Sequence, residues 1–169
     1  MTDTTNIHAG NFGGAPKQNV GPLSADDERD MVQLLFEMIS NEKELEEAKC
    51  SLVQQGDFNL MDAFQMIDEK NLGWVSAPQI LTFMMECGVF AHKDDVYNFT
   101  RRFDRDNDSK LLYSDFCEAF TPKDSYHAHN LGTRKPKYLH NPDMPKKNYF
   151  SDQSRDSFFQ CFKTHFHID

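Results

Sequence analysis

Three aspartates at alternate positions constrain the fold of this chain more than any other feature. Asp104, Asp106 and Asp108 follow one helical pattern and precede another. A calcium-binding loop of twelve residues takes side-chain oxygens at positions 1, 3, 5 and 12 and a backbone carbonyl at position 7. With Asp104 at position 1, the Lys110 carbonyl and the Asp115 carboxylate complete the set. The pattern therefore predicts a helix, a loop and a second helix arranged around one divalent cation.

Three departures weaken this predicted site. Ser109 stands at position 6, where glycine makes the sharp turn, and a side chain there costs about 1 kcal/mol if φ is positive. Leu112 at position 9 cannot orient a water molecule, and Asp115 is one methylene shorter than the usual glutamate. We expect at most one ion per chain, calcium or the smaller magnesium, bound weakly or not at all.

A second loop of the same length begins 36 residues earlier and has lost its ligands. Asp68 stands at position 1, but Lys70 and Leu72 occupy positions 3 and 5, and Gln79 occupies position 12. A lysine ammonium directed at the site would repel a cation. This loop is predicted to be free of metal.

The loop without ligands keeps the residues that shape it. Gly73 is at the turn position, and Val75 is expected to form a short strand against Leu111 of the other loop. Amphipathic segments flank both loops, so the order helix, loop, helix occurs twice over residues 57–120. The sequence predicts an all-α fold built on this pair.

A long helix is predicted before the pair, over residues 24–56. Ser24 and Asp27 form a capping-box pattern at its start, and Gly56 marks its end. Two interpretations remain open for a helix of this length: it protrudes into solvent as an amphipathic helix, or it is a strut that docks on another molecule. Apolar residues keep helical spacing along it, at Met31, Leu35, Met38, Leu45 and Leu52.

Charge divides the chain into an acidic part and a basic strap. Residues 1–120 carry 10 basic and 22 acidic side chains, whereas residues 121–150 carry 6 basic and 2 acidic ones. The strap contains prolines and is predicted to be irregular, as is the tail at residues 1–23. A basic segment suits an acidic partner surface, although a solvated linker has the same composition. The strap lysines predicted to bind a partner are Lys135, Lys137, Lys146 and Lys147.

The helix predicted over residues 151–169 carries a stripe of phenylalanines. Phe158, Phe162 and Phe166 recur every four residues, with Phe159 beside them. Such a stripe fills an apolar groove, which belongs either to this chain's own helices or to another molecule. All four are candidate partner-binding residues.

This last helix is similar to the start of the long helix, 126 residues earlier in the chain. The last helix therefore resembles the first helix of a second module, and the next copy of the chain could bind it in a head-to-tail arrangement. Both segments begin with an Arg-Asp pair and continue with apolar residues at the same offsets: Val32, Leu35 and Phe36 in the long helix, and Phe158, Cys161 and Phe162 in the last one.

Several function classes find no support in the sequence. It shows no pairing of nucleophile and base, no phosphate-binding loop and no zinc-ligand spacing, so we predict that the chain is not an enzyme.

Two pairs of histidines, His127-x-His129 and His165-x-His167, are only weak signals of a zinc site, because side chains two apart on a helix diverge. No apolar run approaches the ~18 residues of a membrane span. With a formal net charge of -9, neither a membrane nor nucleic acid is an expected partner. Four irregularly spaced cysteines are typical of reduced thiols in the cytoplasm.

Residues 56–124 resemble the EF-hand superfamily, through the two loops and their flanking helices. A narrower resemblance is to EF-hand-pair proteins of cilia and flagella that bind the inner wall of axonemal doublet microtubules. The segments that carry it are Asp57-Phe-Asn-Leu60, Asp95-Val-Tyr97, Arg102-Phe-Asp-Arg-Asp-Asn-Asp108, Tyr113-Ser-Asp-Phe-Cys117 and Phe120-Thr-Pro-Lys-Asp124.

The resemblance implies a structural role, in which the protein stabilises the tubulin lattice. Its partners would be tubulin, other axonemal proteins and neighbouring copies of the chain. It would be located in the cytoskeleton of the cilium or flagellum. The alternative is a calcium-responsive regulator, in which ion binding at residues 104–115 opens a groove for a target helix. The aspartates of the second loop favour that alternative, whereas the first loop and Ser109 oppose it.

Overall fold

The computed structural model describes residue 21, residues 23–138 and residues 143–168, apart from the side chain of Lys147. The predicted tail at residues 1–23 therefore lies outside the described residues, except for Gly21 and Leu23. The described residues are mostly helical, in agreement with the all-α prediction. None of their helices is both long enough and apolar enough to cross a lipid bilayer.

Seven α-helices and one small antiparallel sheet make up the regular structure of the described residues. A 3-10 turn, Lys146–Asn148, precedes the last helix. The strands are β1 (Trp74–Val75) and β2 (Leu111–Leu112). The helices are α1 (Ala25–Gln54), α2 (Leu60–Ile67), α3 (Ala77–Glu86), α4 (Lys93–Phe103), α5 (Tyr113–Phe120), α6 (Ser125–Gly132) and α7 (Asp152–Phe166).

α1 begins and ends close to the predicted positions. The Ser24 hydroxyl accepts a hydrogen bond from the Asp27 amide, and the Asp27 carboxylate accepts one from the Ser24 amide, so the capping box forms. The helix continues for 30 residues and is capped at Gln55. Its first half contacts no other element of the described structure closely enough to bury a side chain, whereas Leu45 and Leu52 in its second half are buried.

The two predicted loops lie side by side and are joined by the sheet. Val75 of β1 pairs with Leu111 of β2, and Trp74 pairs with Leu112. The pairing of Val75 with Leu111 is the one predicted from their equal positions in the two loops. Helices α2 and α3 flank the first loop and α4 and α5 flank the second, so the predicted order of helices and loops is confirmed.

The strap at residues 121–150 is more regular than predicted. α6 occupies residues 125–132, where the sequence indicated an irregular segment. The Asp124 carboxylate accepts a hydrogen bond from the His127 amide and starts this helix, and Leu131 is buried against the core. The difference arises from a cap whose donor and acceptor lie within one turn.

α7 lies antiparallel to the second half of α1. At its start, the Ser151 amide donates to the Asp57 carboxylate at 2.7 Å, just beyond the end of α1. At its end, the Asn41 side-chain amide donates to the His167 carbonyl at 3.0 Å, near the middle of α1. α7 thus fills a groove whose other walls are α3, α4 and α5.

Candidate functional site

The second loop brings three carboxylates together. Asp104, Asp106 and Asp108 each offer an oxygen, and these oxygens lie within 4.8 Å of one another. Among the described residues they form the only cluster of three or more histidine, cysteine or acidic side chains of this kind. Hard oxygen ligands at this spacing suit a divalent cation such as calcium or magnesium. The grouping of these three residues was predicted from their positions 1, 3 and 5.

Backbone amides hold the first aspartate in place. Asp104 accepts hydrogen bonds from the amides of Asp108, at 3.2 Å, and Ser109, at 2.7 Å. The chain turns back on itself through two residues with positive φ, Asn107 at 57° and Ser109 at 64°. Ser109 therefore adopts the left-handed conformation that the loop requires at position 6. This conformation is strained for serine, as the sequence predicted.

The carboxylates of the cluster repel one another. A hydrogen bond with Asp104, some loss of hydration and the nearby Asp108 charge raise the pKa of Asp106 above its usual value. Burial also disfavours the charged form of Asp104, but hydrogen bonds from Ser109 and Asp106 outweigh it and lower the pKa of Asp104. Asp106 thus retains a proton more readily than Asp104. A divalent cation would relieve this repulsion, because it compensates the negative charge.

The two remaining predicted ligands are the Asp115 carboxylate and the Lys110 backbone carbonyl. The Asp115 carboxylate accepts a hydrogen bond from the Leu112 amide at 2.9 Å and so caps α5, and it is not part of the aspartate cluster. The Lys110 ammonium lies 3.4 Å from an Asp108 carboxylate oxygen and 4.8 Å from the centre of the Trp74 ring. The predicted ligand atom of Lys110 is its backbone carbonyl oxygen, which takes no part in these ammonium contacts. The Lys110 side chain neutralises part of the negative charge that would attract a cation.

The first loop has the same backbone conformation as the second, but it lacks carboxylates at positions 3 and 5. Asp68 accepts hydrogen bonds from the amides of Leu72 and Gly73, both at 2.8 Å, as Asp104 does at the corresponding positions. The side chains of Lys70 and Leu72 are exposed. Gln79, at position 12, accepts hydrogen bonds from Ser76 and caps α3. Asp68 is therefore the only carboxylate at a ligand position of this loop.

A strap lysine reaches the first loop. The Lys146 ammonium donates a hydrogen bond to the Asp68 carbonyl at 2.7 Å. Burial lowers the pKa of this ammonium, while the charges of Asp68 and Glu69 act in the opposite direction. The prediction that Lys146 binds a partner is corrected here, because its side chain is committed to this chain's own loop. The sequence contained no signal for this contact, since 78 residues separate the two groups.

The other strap residues divide into anchored and exposed groups. Arg134 donates hydrogen bonds to the carbonyls of Gln55, at 2.7 Å, Phe58, at 2.8 Å, and Val53. It satisfies carbonyls at the end of α1, a contact between distant residues that no local sequence pattern indicates. The side chains of Lys135 and Lys137 are exposed and remain available to a partner, whereas the Lys147 side chain lies outside the described residues.

The phenylalanine stripe of α7 is buried in this chain's own core. Phe158 and Phe162 have no exposed surface, Phe159 is nearly buried, and Phe166 is partly buried. Phe162 packs against Phe120, with ring centres 4.8 Å apart. The prediction that these four side chains bind a partner is therefore not met in this structure. Burial of each ring stabilises the fold by roughly 1.5–3 kcal/mol, because its apolar surface is removed from water. The strap is also long enough to let α7 fold back onto its own lobe.

His165 completes the contact between α7 and α5. Its Nε2 atom lies 2.9 Å from the Ala119 carbonyl oxygen, so Nε2 carries the proton and donates. Its Nδ1 atom is buried without a hydrogen-bond partner. Burial, together with the positive charge of Lys49, lowers the pKa of His165 to about 3. This ring is neutral at physiological pH and belongs to the core, so the weak zinc signal at His165 has a structural explanation.

The other weak zinc signal lies on α6. The His127 ring nitrogen Nδ1 is 2.7 Å from an Asp124 carboxylate oxygen, and the contact stays within the first turn of the helix. His127 and His129 belong to no metal-ligand cluster among the residues that the structure covers.

Comparison of the chain with known proteins finds no matching family model, no matching curated protein and no matching solved structure.

Proposed function

We propose that this chain is a structural EF-hand protein of axonemal doublet microtubules, where it stabilises the tubulin lattice. One observation carries the structural part of the proposal: α7 of the same chain fills the groove between the helices. A protein whose groove is already filled is built as a compact spacer. It presents its outer surface, rather than a groove, to its partners.

The filled groove argues against a calcium sensor. A sensor of the EF-hand type opens on binding the ion and exposes an apolar groove for a target helix. In this chain Phe158 and Phe162 occupy that position, and they pack against Phe99 and Phe120. A target helix would have to displace two fully buried phenylalanine rings. The displacement would cost several kcal/mol before the target gained any contact.

The geometry of the two loops supports an EF-hand pair. Position 4 of each loop has positive φ, at Asn71 and Asn107, and so does position 6, at Gly73 and Ser109. In each loop the aspartate at position 1 holds the amides of positions 5 and 6. The strand residues pair at position 8. These are the features that an EF-hand needs whether or not it binds a cation.

The microtubule part of the proposal is supported by sequence. It rests on the segments that resemble ciliary EF-hand-pair proteins, and on the two exposed strap lysines, Lys135 and Lys137. A basic strap on an otherwise acidic protein suits an acidic partner surface. Of the other two strap lysines, Lys146 binds the first loop, and the side chain of Lys147 lies outside the described residues.

The second candidate function is the calcium-responsive regulator. The cluster of Asp104, Asp106 and Asp108 favours it, because three carboxylates within 4.8 Å are the core of a cation site. In this alternative, ion binding at the second loop would loosen α7 and free the groove.

Co-sedimentation with purified doublet microtubules tests the proposal. The wild-type chain is expected to pellet with them, and the double variant Lys135→Glu, Lys137→Glu to remain in the supernatant at the same salt concentration. Lys70→Glu is the matched control, since it changes the charge of an exposed lysine outside the strap. A wild-type chain that stays soluble, or a double variant that pellets as well as the control, would contradict the proposed attachment.

A further inference from the structure

The first half of α1 has no cover among the described residues. Residues 25–40 are all exposed, and Leu45 is the first buried residue of the helix. Most helices in proteins are stabilised by packing of an apolar face against another surface. Seven large apolar side chains form such a face here, the α1 patch, and they are 46–66 % exposed: Met31, Val32, Leu34, Leu35, Phe36, Met38 and Ile39.

The α1 patch is large enough for a stable protein interface. At roughly 100 Å² for each half-exposed side chain, the patch presents about 700 Å² of apolar surface. The largest apolar patch of a typical monomer is only about 300–600 Å². A specific interface buries about 800 Å² of each partner, so the α1 patch with its polar neighbours reaches the size that a dimer needs.

A second copy of the chain supplies a matching surface. An interface with twofold symmetry uses the same patch on both copies, so an apolar patch of this size is its own complement. Residues 1–20, which precede α1 and lie outside the described residues, are a poor alternative cover by composition. Their large apolar side chains are only four: Met1, Ile7, Phe12 and Val20.

The α1 patch is arranged symmetrically about Leu35. At about 100° per residue, four other members lie within about 60° of Leu35 around the helix axis, while Leu34 and Phe36 lie about 100° to either side. In an antiparallel pair of helices centred on Leu35, the first five side chains form the seam. Leu34 then lies beside Leu34 of the second copy along one edge of the seam, and Phe36 lies beside Phe36 of the second copy along the other edge. All seven side chains of the patch are thereby covered.

The free length of α1 has the same centre. The helix begins at Ala25, and Leu45 is its first buried residue, so Leu35 lies midway between them. In an antiparallel pair centred on Leu35, Ala25 of each copy is level with Leu45 of the other. The two helices then overlap over about 30 Å, and each ends where the lobe of the other copy begins. The two lobes lie at opposite ends of the pair and do not compete for space.

Charge favours the antiparallel orientation over the parallel one. Glu28 and Glu42 each lie about 20° from Leu35 around the helix, so both face the second copy. In a parallel pair Glu28 would face Glu28 of the second copy, and Arg29 is the only basic residue in the range 24–40. Like charges placed opposite each other disfavour that arrangement.

In the antiparallel pair, Glu28 arrives instead beside a group of mixed charges on the second copy. There the Lys123 ammonium donates to Glu42 at 2.7 Å, and the Lys123 amide donates to Glu46 at 2.8 Å. The hydrogen bond from Lys123, with the charges of Lys49 and Arg102, outweighs burial and lowers the pKa of Glu42. Three basic groups thus accompany the two carboxylates that Glu28 approaches.

The other charged residues of this part of the helix lie away from the seam. Lys43 pairs with Glu47 at 3.7 Å, and Glu44 lies on the side of the helix opposite Leu35.

We propose that the chain forms an antiparallel homodimer through the α1 patch, with its twofold axis at Leu35. Each lobe keeps its own α7 in its groove, and the strap lysines take no part in the interface. The inference therefore does not depend on attachment to microtubules, and co-sedimentation with them tests a separate claim.

Sedimentation equilibrium of the full-length chain tests the dimer. We expect the wild type to be dimeric at about 100 μM, and Leu35→Glu to raise the dimer dissociation constant at least about tenfold. Leu35 is half exposed in the single chain, so this variant should retain its fold, which circular dichroism verifies. Phe90→Glu adds the same charge at a residue that is 86 % exposed outside the patch, and it should dimerise like the wild type. A monomeric wild type, or equal dissociation constants for the two variants, overturns the inference.

Cross-linking with a short thiol-specific reagent tests the orientation. In the antiparallel pair, the two copies of residue 36 are only about 3 Å apart along the axis, whereas those of residue 28 are about 21 Å apart. We expect a cross-linked dimer from Phe36→Cys and none from Glu28→Cys, above the background that the native cysteines of the wild type give. Cross-linking of Glu28→Cys, or of neither variant, overturns the inference.

Hydrogen exchange of the wild-type chain identifies the occupant if the chain is monomeric. Protected amides over residues 31–39 of a monomer would mean that another part of the chain covers the α1 patch. Unprotected amides in a monomer would mean that the patch serves a different protein. Either result contradicts the homodimer.

Discussion

Ser109 shows how single residues set the strength of the candidate cation site. Its backbone adopts φ of 64°, a conformation that glycine reaches without strain and serine does not. Asn107, with φ of 57°, is a residue type that tolerates this region better. The second loop therefore keeps the shape of a cation-binding loop, but it retains strain at position 6.

Relief of this strain should strengthen both folding and ion binding. For Ser109→Gly we expect a free energy of unfolding about 1 kcal/mol higher. We also expect tighter calcium binding, because the loop of the variant reaches the binding conformation without strain. Urea unfolding and calorimetric titration measure the two effects. Ser109→Ala, which keeps a Cβ, is the control and should show no gain. A Ser109→Gly protein that is no more stable than this control would contradict the strain.

The number of bound ions follows from the ligands of each loop. We expect at most one divalent ion per chain in a calorimetric titration. Asp104→Asn should abolish its binding, because it removes the charge of one of the three clustered carboxylates. Asp68→Asn is the matched change in the first loop and should leave the titration unaltered. Two ions per chain would show that the first loop binds metal and that its assignment is wrong.

His165 makes stability depend on pH. Its pKa falls from 6.5 to about 3 on folding, so the unfolded chain binds the proton more readily than the folded chain. Its contribution to stability is complete above pH 6.5 and is lost progressively as the pH falls towards 3. Between pH 6.5 and pH 5 the loss is about 2 kcal/mol, at 1.36 kcal/mol per pH unit.

Urea unfolding at pH 7 and pH 5 measures this loss. His165→Gln, which keeps a side-chain donor for the Ala119 carbonyl but does not titrate, is the comparison. The free energy of unfolding of the wild type should fall by about 2 kcal/mol more than that of the variant. Equal pH dependence of the two proteins would mean that His165 titrates normally.

At the scale of elements, local patterns predicted the helices and loops better than the strap. Ser24 and Asp27 form a cap whose partners lie within one turn, and the predicted start of α1 was found there. The contacts of Arg134 and Lys146 join groups 76 to 81 residues apart. No local pattern indicates which carbonyl a strap side chain will reach, so the folding of the strap onto the lobe was not predictable.

The candidate site was predictable for the same reason. Asp104, Asp106 and Asp108 are neighbours in sequence, and the loop brings them together. Asp115 was expected to join them, but its side chain caps α5 through the Leu112 amide. The sequence left two positions open for α7, in its own lobe or in another. The choice depends on the length of the strap and on the fit of the rings, and neither is a local property.

Arg134 is expected to stabilise the end of α1. Arg134→Leu would remove hydrogen bonds to three carbonyls, and we expect a loss of about 2–3 kcal/mol in the free energy of unfolding. Lys135→Leu, at the exposed neighbouring position, is the control and should change stability by less than about 0.5 kcal/mol. Urea unfolding measures both. A loss no larger than that of the control would mean that the strap contributes little to the lobe.

At the scale of the whole molecule, the two candidate functions differ in what they require of α7. It connects α1, α3, α4 and α5 through Phe158, Phe162 and His165. The groove is closed in this way by the chain itself, and the exposed first half of α1 extends from the lobe. A structural protein can keep this arrangement, whereas a calcium sensor needs α7 to leave.

Hydrogen exchange of the α7 amides, with and without saturating calcium, tests this account most directly. The amides of residues 158–165 should be strongly protected without calcium, because their helix is buried in the groove. Saturating calcium should leave that protection unchanged, even if an ion binds at residues 104–108. Loss of protection across α7 on addition of calcium would contradict the structural role and support the calcium-responsive regulator.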